Sequence, residues 1–186
     1  MKFLLSRHIT NILPQASRVF LAAIIAIALI SSNSYAQEKD QKSSHQLQAE
    51  LIYNFVDHIT WLENPPKSKI LCVMNDNPVI PYINFLVEKK SKNIVVIRKY
   101  ENDYLDDCNI LFVNEFYQGY LRRLLNRVKN KPILTFGNLK DFAKNGGIVQ
   151  FTLRNDRVEF LFNKKEMKSS KLKINKNIIS VSPSID

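Results

Sequence analysis

The chain has 186 residues, with 27 Lys and Arg against 17 Asp and Glu, a formal net charge of +10, 45% hydrophobic residues and two cysteines. That length fits one domain behind a leader, and a chain of this size buries enough surface to fold without dense disulfide stapling. A positive balance can signal nucleic acid, but here aromatic and basic residues do not interleave and the charge is spread along the chain apart from one C-terminal cluster, which argues against that partner.

Lys2, Arg7 and Arg18 accompany an unbroken apolar run of twelve residues, Val19 to Ile30, and Ser34-Tyr35-Ala36 then has the small-x-small spacing of a signal-peptidase site. The run is well short of the ~20 apolar residues that a membrane-spanning helix needs. Residues 1 to 36 are therefore expected to be a cleaved signal peptide that delivers the protein to the periplasm. No cysteine lies near the cut to carry a lipid anchor. The mature chain is expected to start at Gln37, which lowers the charge by three, to +7.

Residues 37 to 44 are polar and aperiodic and read as a flexible lead-in to a single domain over residues 45 to 186. Leu47, Leu51, Ile52, Phe55, Val56 and Ile59 share one helical face, which predicts an amphipathic helix from about His45 to Trp61, with Pro65 and Pro66 closing it. Ile70 to Met74 is a short apolar run ended by Asn75-Asp76-Asn77-Pro78, the pattern of a buried strand. A helix over Pro81 to Lys90 and a β-branched strand over Ile94 to Ile97 follow. Asn109 to Val113 is a third strand. Glu115 to Lys129 reads as a helix with Tyr120, Leu121, Leu124, Leu125 and Val128 on its buried stripe. Pro132 to Phe136 is a fourth strand, and a short helix over Leu139 to Ala143 leads to Gly146-Gly147. Strands Ile148 to Leu153 and Arg157 to Phe162 then form a hairpin around Asn155-Asp156. The alternation predicts an α/β fold: a central, largely parallel sheet flanked by helices on both faces, with a C-terminal antiparallel hairpin.

The motifs of enzymes are missing: no Gly-x-Ser-x-Gly, no His-Glu-x-x-His, no Cys-x-x-Cys and no glycine-rich phosphate loop. His45 and His58 sit thirteen residues apart near the start and end of a helix, a spacing that does not bring both to one metal. No catalytic residue, cofactor or metal is expected. Ligands of doubly wound sheets bind at the carboxyl ends of the strands, which here carry Asp76, Asn114, Glu115 and Gly137. With Thr135 these resemble a phosphoacceptor receiver site, but Asn114 stands where a receiver needs its nucleophilic carboxylate. Cys72 in the first strand and Cys108 at the start of the third would be neighbours in the common doubly wound order, within the ~4.4–6.8 Å Cα separation of a disulfide. An exported chain oxidises such a pair. Lys164 to Lys176 holds six lysines in thirteen residues, and such runs usually face water.

Several short motifs, taken in order, resemble the YfiR-like family of periplasmic proteins over most of the mature chain. They are Ile52-Tyr53-Asn54-Phe55 followed by Trp61, Cys72 within Ile70-Leu71-Cys72-Val73, and Cys108-Asn109-Ile110-Leu111-Phe112. Pro132-Ile133-Leu134-Thr135, Phe142-Ala143-Lys144-Asn145-Gly146-Gly147, Phe162-Asn163 and Leu172-Lys173-Ile174 continue the agreement. The chain departs from the pattern in having Leu62 after Trp61 in place of proline, in Asp57-His58, and in lacking the second cysteine pair of some relatives.

The resemblance implies a regulator and no enzyme: a periplasmic repressor that binds the periplasmic sensory domain of an inner-membrane diguanylate cyclase and lowers cyclic di-GMP and biofilm formation. The partner surface is expected to use the lysine-rich segment, Lys164, Lys165, Lys168, Lys171 and Lys173, for electrostatic steering. A homodimer is a further expected partner. The competing expectation is a periplasmic small-ligand sensor with its site at Asp76, Asn114 and Gly137.

Overall fold

The computed structural model describes residues 44–154, 157–179 and 183–185. The expected leader, most of the lead-in and the Asn155-Asp156 turn lie outside these residues. Helix α1, residues 44–55, buries Ala49, Ile52, Tyr53 and Phe55; of the expected stripe within the helix, Ile52 and Phe55 are buried and Leu47 and Leu51 are half-buried. The helix ends earlier than Trp61. A 3-10 turn, Val56–His58, leads into strand β1, Ile59–Trp61. Ile59 and Thr60 are β-branched and suit a strand. They find an antiparallel partner in β8, Leu172–Ile174, with Ile59 opposite Ile174 and Trp61 opposite Leu172. Trp61 is buried, and its indole N–H donates to Pro132 O at 2.9 Å.

The main sheet is built from β2 (Lys69–Met74), β3 (Ile94–Lys99), β4 (Ile110–Val113), β5 (Leu134–Gly137), β6 (Val149–Arg154), β7 (Arg157–Asn163) and β9 (Ser184–Ile185). Its seven strands run in the order β3-β2-β4-β5-β6-β7-β9. Every neighbouring pair is parallel except β6 and β7, which pair antiparallel from Val149↔Phe162 to Arg154↔Arg157. The five parallel strands from β3 to β6 have the flavodoxin-like doubly wound order.

Side chains on a strand alternate between faces, and the core divides accordingly. Leu71, Val73, Ile110, Phe112, Leu134 and Phe136 join α1 and α2 (Ile80–Lys90) in one cluster, where Phe136 stacks on Phe151 at 4.8 Å and meets Phe55 at 5.1 Å. Cys72, Met74, Leu111 and Val113 join α3 (Leu121–Val128) in the other.

Two further predicted helices change. Glu115 to Lys129 is broken into a 3-10 turn, Glu115–Tyr117, and α3, with Tyr120 as the residue before the helix. Gly119 lies in the break and weakens the helix there. Tyr120 is consequently not on the buried stripe; it is 51% exposed. Leu139 to Ala143 is a bend and turn. The Phe142 ring fills the space beside two glycines, and a Cβ on Gly137 would lie 2.7 Å from it and one on Gly147 2.1 Å.

The lysine-rich segment is ordered as helix α4 (Lys164–Ser169), β8 and helix α5 (Lys176–Ile179). Its lysines are exposed, while Leu172 and Ile174 are buried between them.

Candidate functional site

Five sets of residues stood out in the sequence: the cysteines, the histidines, the glycine motif, the strand ends and the lysines. Cys72 and Cys108 are joined, with Cα atoms 5.7 Å apart, and tie β2 to the residue two before β4. Among the described residues, the one group of His, Cys, Asp and Glu donor atoms close enough to hold a metal is Cys72, Asp107 and Cys108. Both sulfurs are spent in the disulfide, so this group cannot offer thiolates. His58 is exposed in the 3-10 turn, and its carbonyl accepts the Asn175 N–H at 2.9 Å. His45 lies in the first turn of α1.

The residues of the glycine motif also hold the fold. Gly146 has φ +102°, which a residue with a Cβ rarely adopts. Thr135 hydroxyl accepts the Ile148 N–H at 2.8 Å, which is a strand-to-strand tie and not a phosphoacceptor's role. Asn163 donates to Ala143 O at 2.9 Å, while its side-chain oxygen caps α4 by accepting Glu166 N–H at 2.9 Å.

The carboxyl ends of the strands gather Asp76, Asn114, Glu115 and Gly137, as the topology requires. They do not form a catalytic set. Asp76 is occupied by Arg98 at 2.7 Å. Asn114 is buried, and Glu115 meets the Asn138 side chain at 3.3 Å. Gly137 serves the Phe142 contact.

What lies at this edge is a groove of about 330 Å³ lined by Asn75, Tyr100, Glu101, Asp103, Phe116, Tyr117 and Tyr120, with Asn102. Phe116 is 68% exposed, Tyr120 51% and Tyr100 46%. The walls are fixed from α3: the Arg127 guanidinium donates to the carbonyl oxygens of Glu101 and Asp103, and Arg123 pairs with Glu101. Arg123 also sits 5.2 Å from the Tyr120 ring centroid, a cation–π distance. Tyr100 N–H donates to Asp103 Oδ2 at 2.7 Å, closing the loop on itself. At the base, Tyr117 hydroxyl donates to Asn75 Oδ1 at 3.0 Å. Burial, reinforced by the Asp103 carboxylate and opposed by Arg127, pushes the Tyr117 phenol above its ordinary pKa. It is therefore a neutral donor at any physiological pH. Sequence reading missed this groove because Tyr120 fits a helical stripe. The available signal was Gly119, which interrupts that stripe between Phe116-Tyr117 and Tyr120.

The expected steering lysines lie elsewhere: Lys164, Lys165 and Lys168 on α4, Lys173 on β8, and Lys171 between them, paired with Glu63 at 2.7 Å.

A doubly wound α/β domain with a ring-lined groove at its carboxyl edge is the class that this fold and site define. The chain belongs to the YfiR/HmsC-like family, whose model matches residues 45–182. The fold is also similar to the crystal structure of a conserved domain protein from Vibrio cholerae O1 biovar El Tor str. N16961, with a TM-score of 0.53 at 10% identity. That likeness covers 76% of this chain and 60% of the other, and it shows the fold alone. No curated protein matches the chain. Among the described residues, no helix is long and apolar enough to cross a membrane.

Proposed function

We propose that this chain is a periplasmic regulatory protein, without enzymatic activity, that binds the periplasmic sensory domain of an inner-membrane diguanylate cyclase and holds it inactive. Membership of the YfiR/HmsC-like family supports a role in cyclic di-GMP signalling. The observation that carries the docking assignment is the exposure of Tyr100, Phe116 and Tyr120 around one groove whose walls are fixed by Arg123 and Arg127. Large rings held rigidly at the surface, beside arginine, are the residues that dominate binding energy at protein interfaces. Ordering them before binding lowers the entropy lost on docking.

Repression then works by population shift. The protein binds the inactive conformation of the cyclase more tightly than the active one, and only that difference in affinity moves the equilibrium. The exposed lysines of α4 and β8 raise the encounter rate with an acidic surface and add little to affinity. Deleting the gene should raise cyclic di-GMP and surface attachment; unchanged cyclic di-GMP across growth conditions would contradict the reading.

The size of the groove favours one second reading, a small-ligand sensor, because about 330 Å³ at a doubly wound switch point is within the ~300–1,000 Å³ of ligand pockets. Thermal-shift screening separates the two: a ligand at 100 times its Kd adds about 2.7 kcal/mol, whereas a docking surface leaves the melting point unmoved by small molecules.

A further inference from the structure

Just beyond the carboxyl ends of β4 and β5, two asparagines stand side by side. Phe112 pairs with Phe136 and Val113 with Gly137 in the parallel register, and the next residue on each strand is Asn114 and Asn138. Each lies two places beyond a phenylalanine of the paired row, and residues two apart on a strand share a face. Asn114 keeps the extended backbone this requires, with φ −108° and ψ 178°.

The side-chain oxygens of both are buried and have no hydrogen-bond partner in the chain. Asn114 as a whole is 4% exposed. An asparagine in front of a helical turn ordinarily spends its oxygen on the first N–H groups of that turn. Asn114 makes no such bond to the turn Glu115–Tyr117; its backbone carbonyl accepts Tyr117 N–H at 3.0 Å. At Asn138 the amide nitrogen donates to Glu115 Oε2 at 3.3 Å, which leaves the amide oxygen as the unused end. Buried oxygens are nearly always paired, so two orphans in adjacent positions call for a bound water or ion.

Glu115 decides between the two. Its side chain is exposed and, among the described residues, has no Lys or Arg partner. Other carboxylates of this edge are neutralised, Asp76 by Arg98 at 2.7 Å and Glu101 by Arg123. A chain with 27 Lys and Arg against 17 Asp and Glu thus leaves one carboxylate without a cation beside two orphaned acceptors. Water would satisfy the amides but not the charge; a cation satisfies both.

We propose that Asn114, Glu115 and Asn138 hold a calcium ion through their side-chain oxygens, with water filling the remaining positions. Oxygen donors alone select a hard cation and not a thiophilic or imidazole-bound metal. Calcium accepts amide and carboxylate oxygens in irregular sets, whereas magnesium demands a near-ideal octahedron and gives up its waters reluctantly. One Glu115 oxygen keeps the Asn138 amide and the other meets the ion. A single charged ligand makes the site weak, with a Kd of about 10⁻⁴–10⁻³ M, the range of extracellular calcium modules. The ion ties the 3-10 turn that carries Phe116 and Tyr117 to the end of β5.

The test is the melting point of the mature protein, residues 37 to 186, after treatment with chelator, in about 10 mM calcium chloride against sodium chloride of equal ionic strength, together with calorimetric titration of calcium chloride. Binding of that strength should raise the melting point by roughly 3–10 °C. Glu115→Gln should weaken binding at least tenfold and melt as wild type does in chelator, because Glu115 is exposed. Asn114→Asp adds a carboxylate to the set: it should tighten binding at least tenfold and melt below wild type in chelator, where a buried charge is uncompensated. If that variant is unfolded in chelator, folding on addition of calcium gives the same support. A wild type that responds to calcium no more than to sodium overturns the proposal and leaves water on the two oxygens. Binding that is unchanged in Glu115→Gln or Asn114→Asp places the ion elsewhere and overturns it too, and an equal response to magnesium chloride overturns the choice of calcium. No partner protein enters these measurements, so they stand or fall independently of the docking assignment.

Discussion

Reducing the bond between Cys72 and Cys108 should destabilise the domain by about 4 kcal/mol, through the loop it closes in the unfolded chain. The two cysteines are 36 residues apart in sequence, and the loop-entropy relation gives that figure for a ring of this size. Both sulfurs lie in the core beneath α3, where Cys72 is fully buried and Cys108 nearly so. Reductant therefore reaches them only when the domain opens, so the comparison requires equilibrium unfolding in denaturant with and without reductant. For a domain of this length, ~2–4 °C per kcal/mol translates the loss to a melting point lowered by roughly 8–16 °C. Cys108→Ser should cost about as much, since it removes the same cross-link. A midpoint indifferent to reductant, in protein shown by mass spectrometry to contain the bond, would refute the argument.

Gly147→Ala should destabilise by roughly 1–3 kcal/mol, because the added Cβ would lie 2.1 Å from the Phe142 ring and that ring is wholly buried; chemical denaturation reads this directly. Asn163→Ala removes the α4 cap and a bond to Ala143 O, and should cost ~1–2 kcal/mol by the same assay. Reversing Lys164, Lys165 and Lys168 to Glu should slow association with the cyclase domain and flatten its salt dependence while leaving the dissociation rate nearly unchanged; stopped-flow mixing at several salt concentrations measures both.

The central sheet was legible because its strands are buried on both faces. Ile70–Met74 and Ile110–Val113 are continuous apolar runs, Leu134–Phe136 is interrupted by Thr135 alone, and helices separate these strands at the spacing of parallel crossovers. The nearness of Cys72 to Cys108 followed from that order. The small β1–β8 pair was hidden at both ends. Ile59 continues the 3–4 spacing of α1, so nothing in the periodicity marks where Val56 leaves the helix. Leu172-Lys173-Ile174 does alternate with period two, but three residues inside a lysine run are too few to outweigh the charge. The aromatic groove was illegible for a different reason. Its rings come from a loop after β3 and a break before α3, and the loop is held by Arg127 binding the carbonyls of Glu101 and Asp103, a contact 24 to 26 residues away in sequence.

The most direct test of the account is to capture partners from solubilised inner membranes with the mature protein, comparing wild type with the double variant Phe116→Ser and Tyr120→Ser. Both rings are more than half exposed, so the variant should melt within a degree or two of wild type, corresponding to less than ~0.5 kcal/mol per surface site. The account predicts that wild type recovers a membrane protein with a diguanylate cyclase domain and that the variant recovers at least tenfold less, the loss of ~1.4 kcal/mol or more that a hot-spot ring carries. Equal recovery by the two proteins, or no cyclase with either, would contradict it.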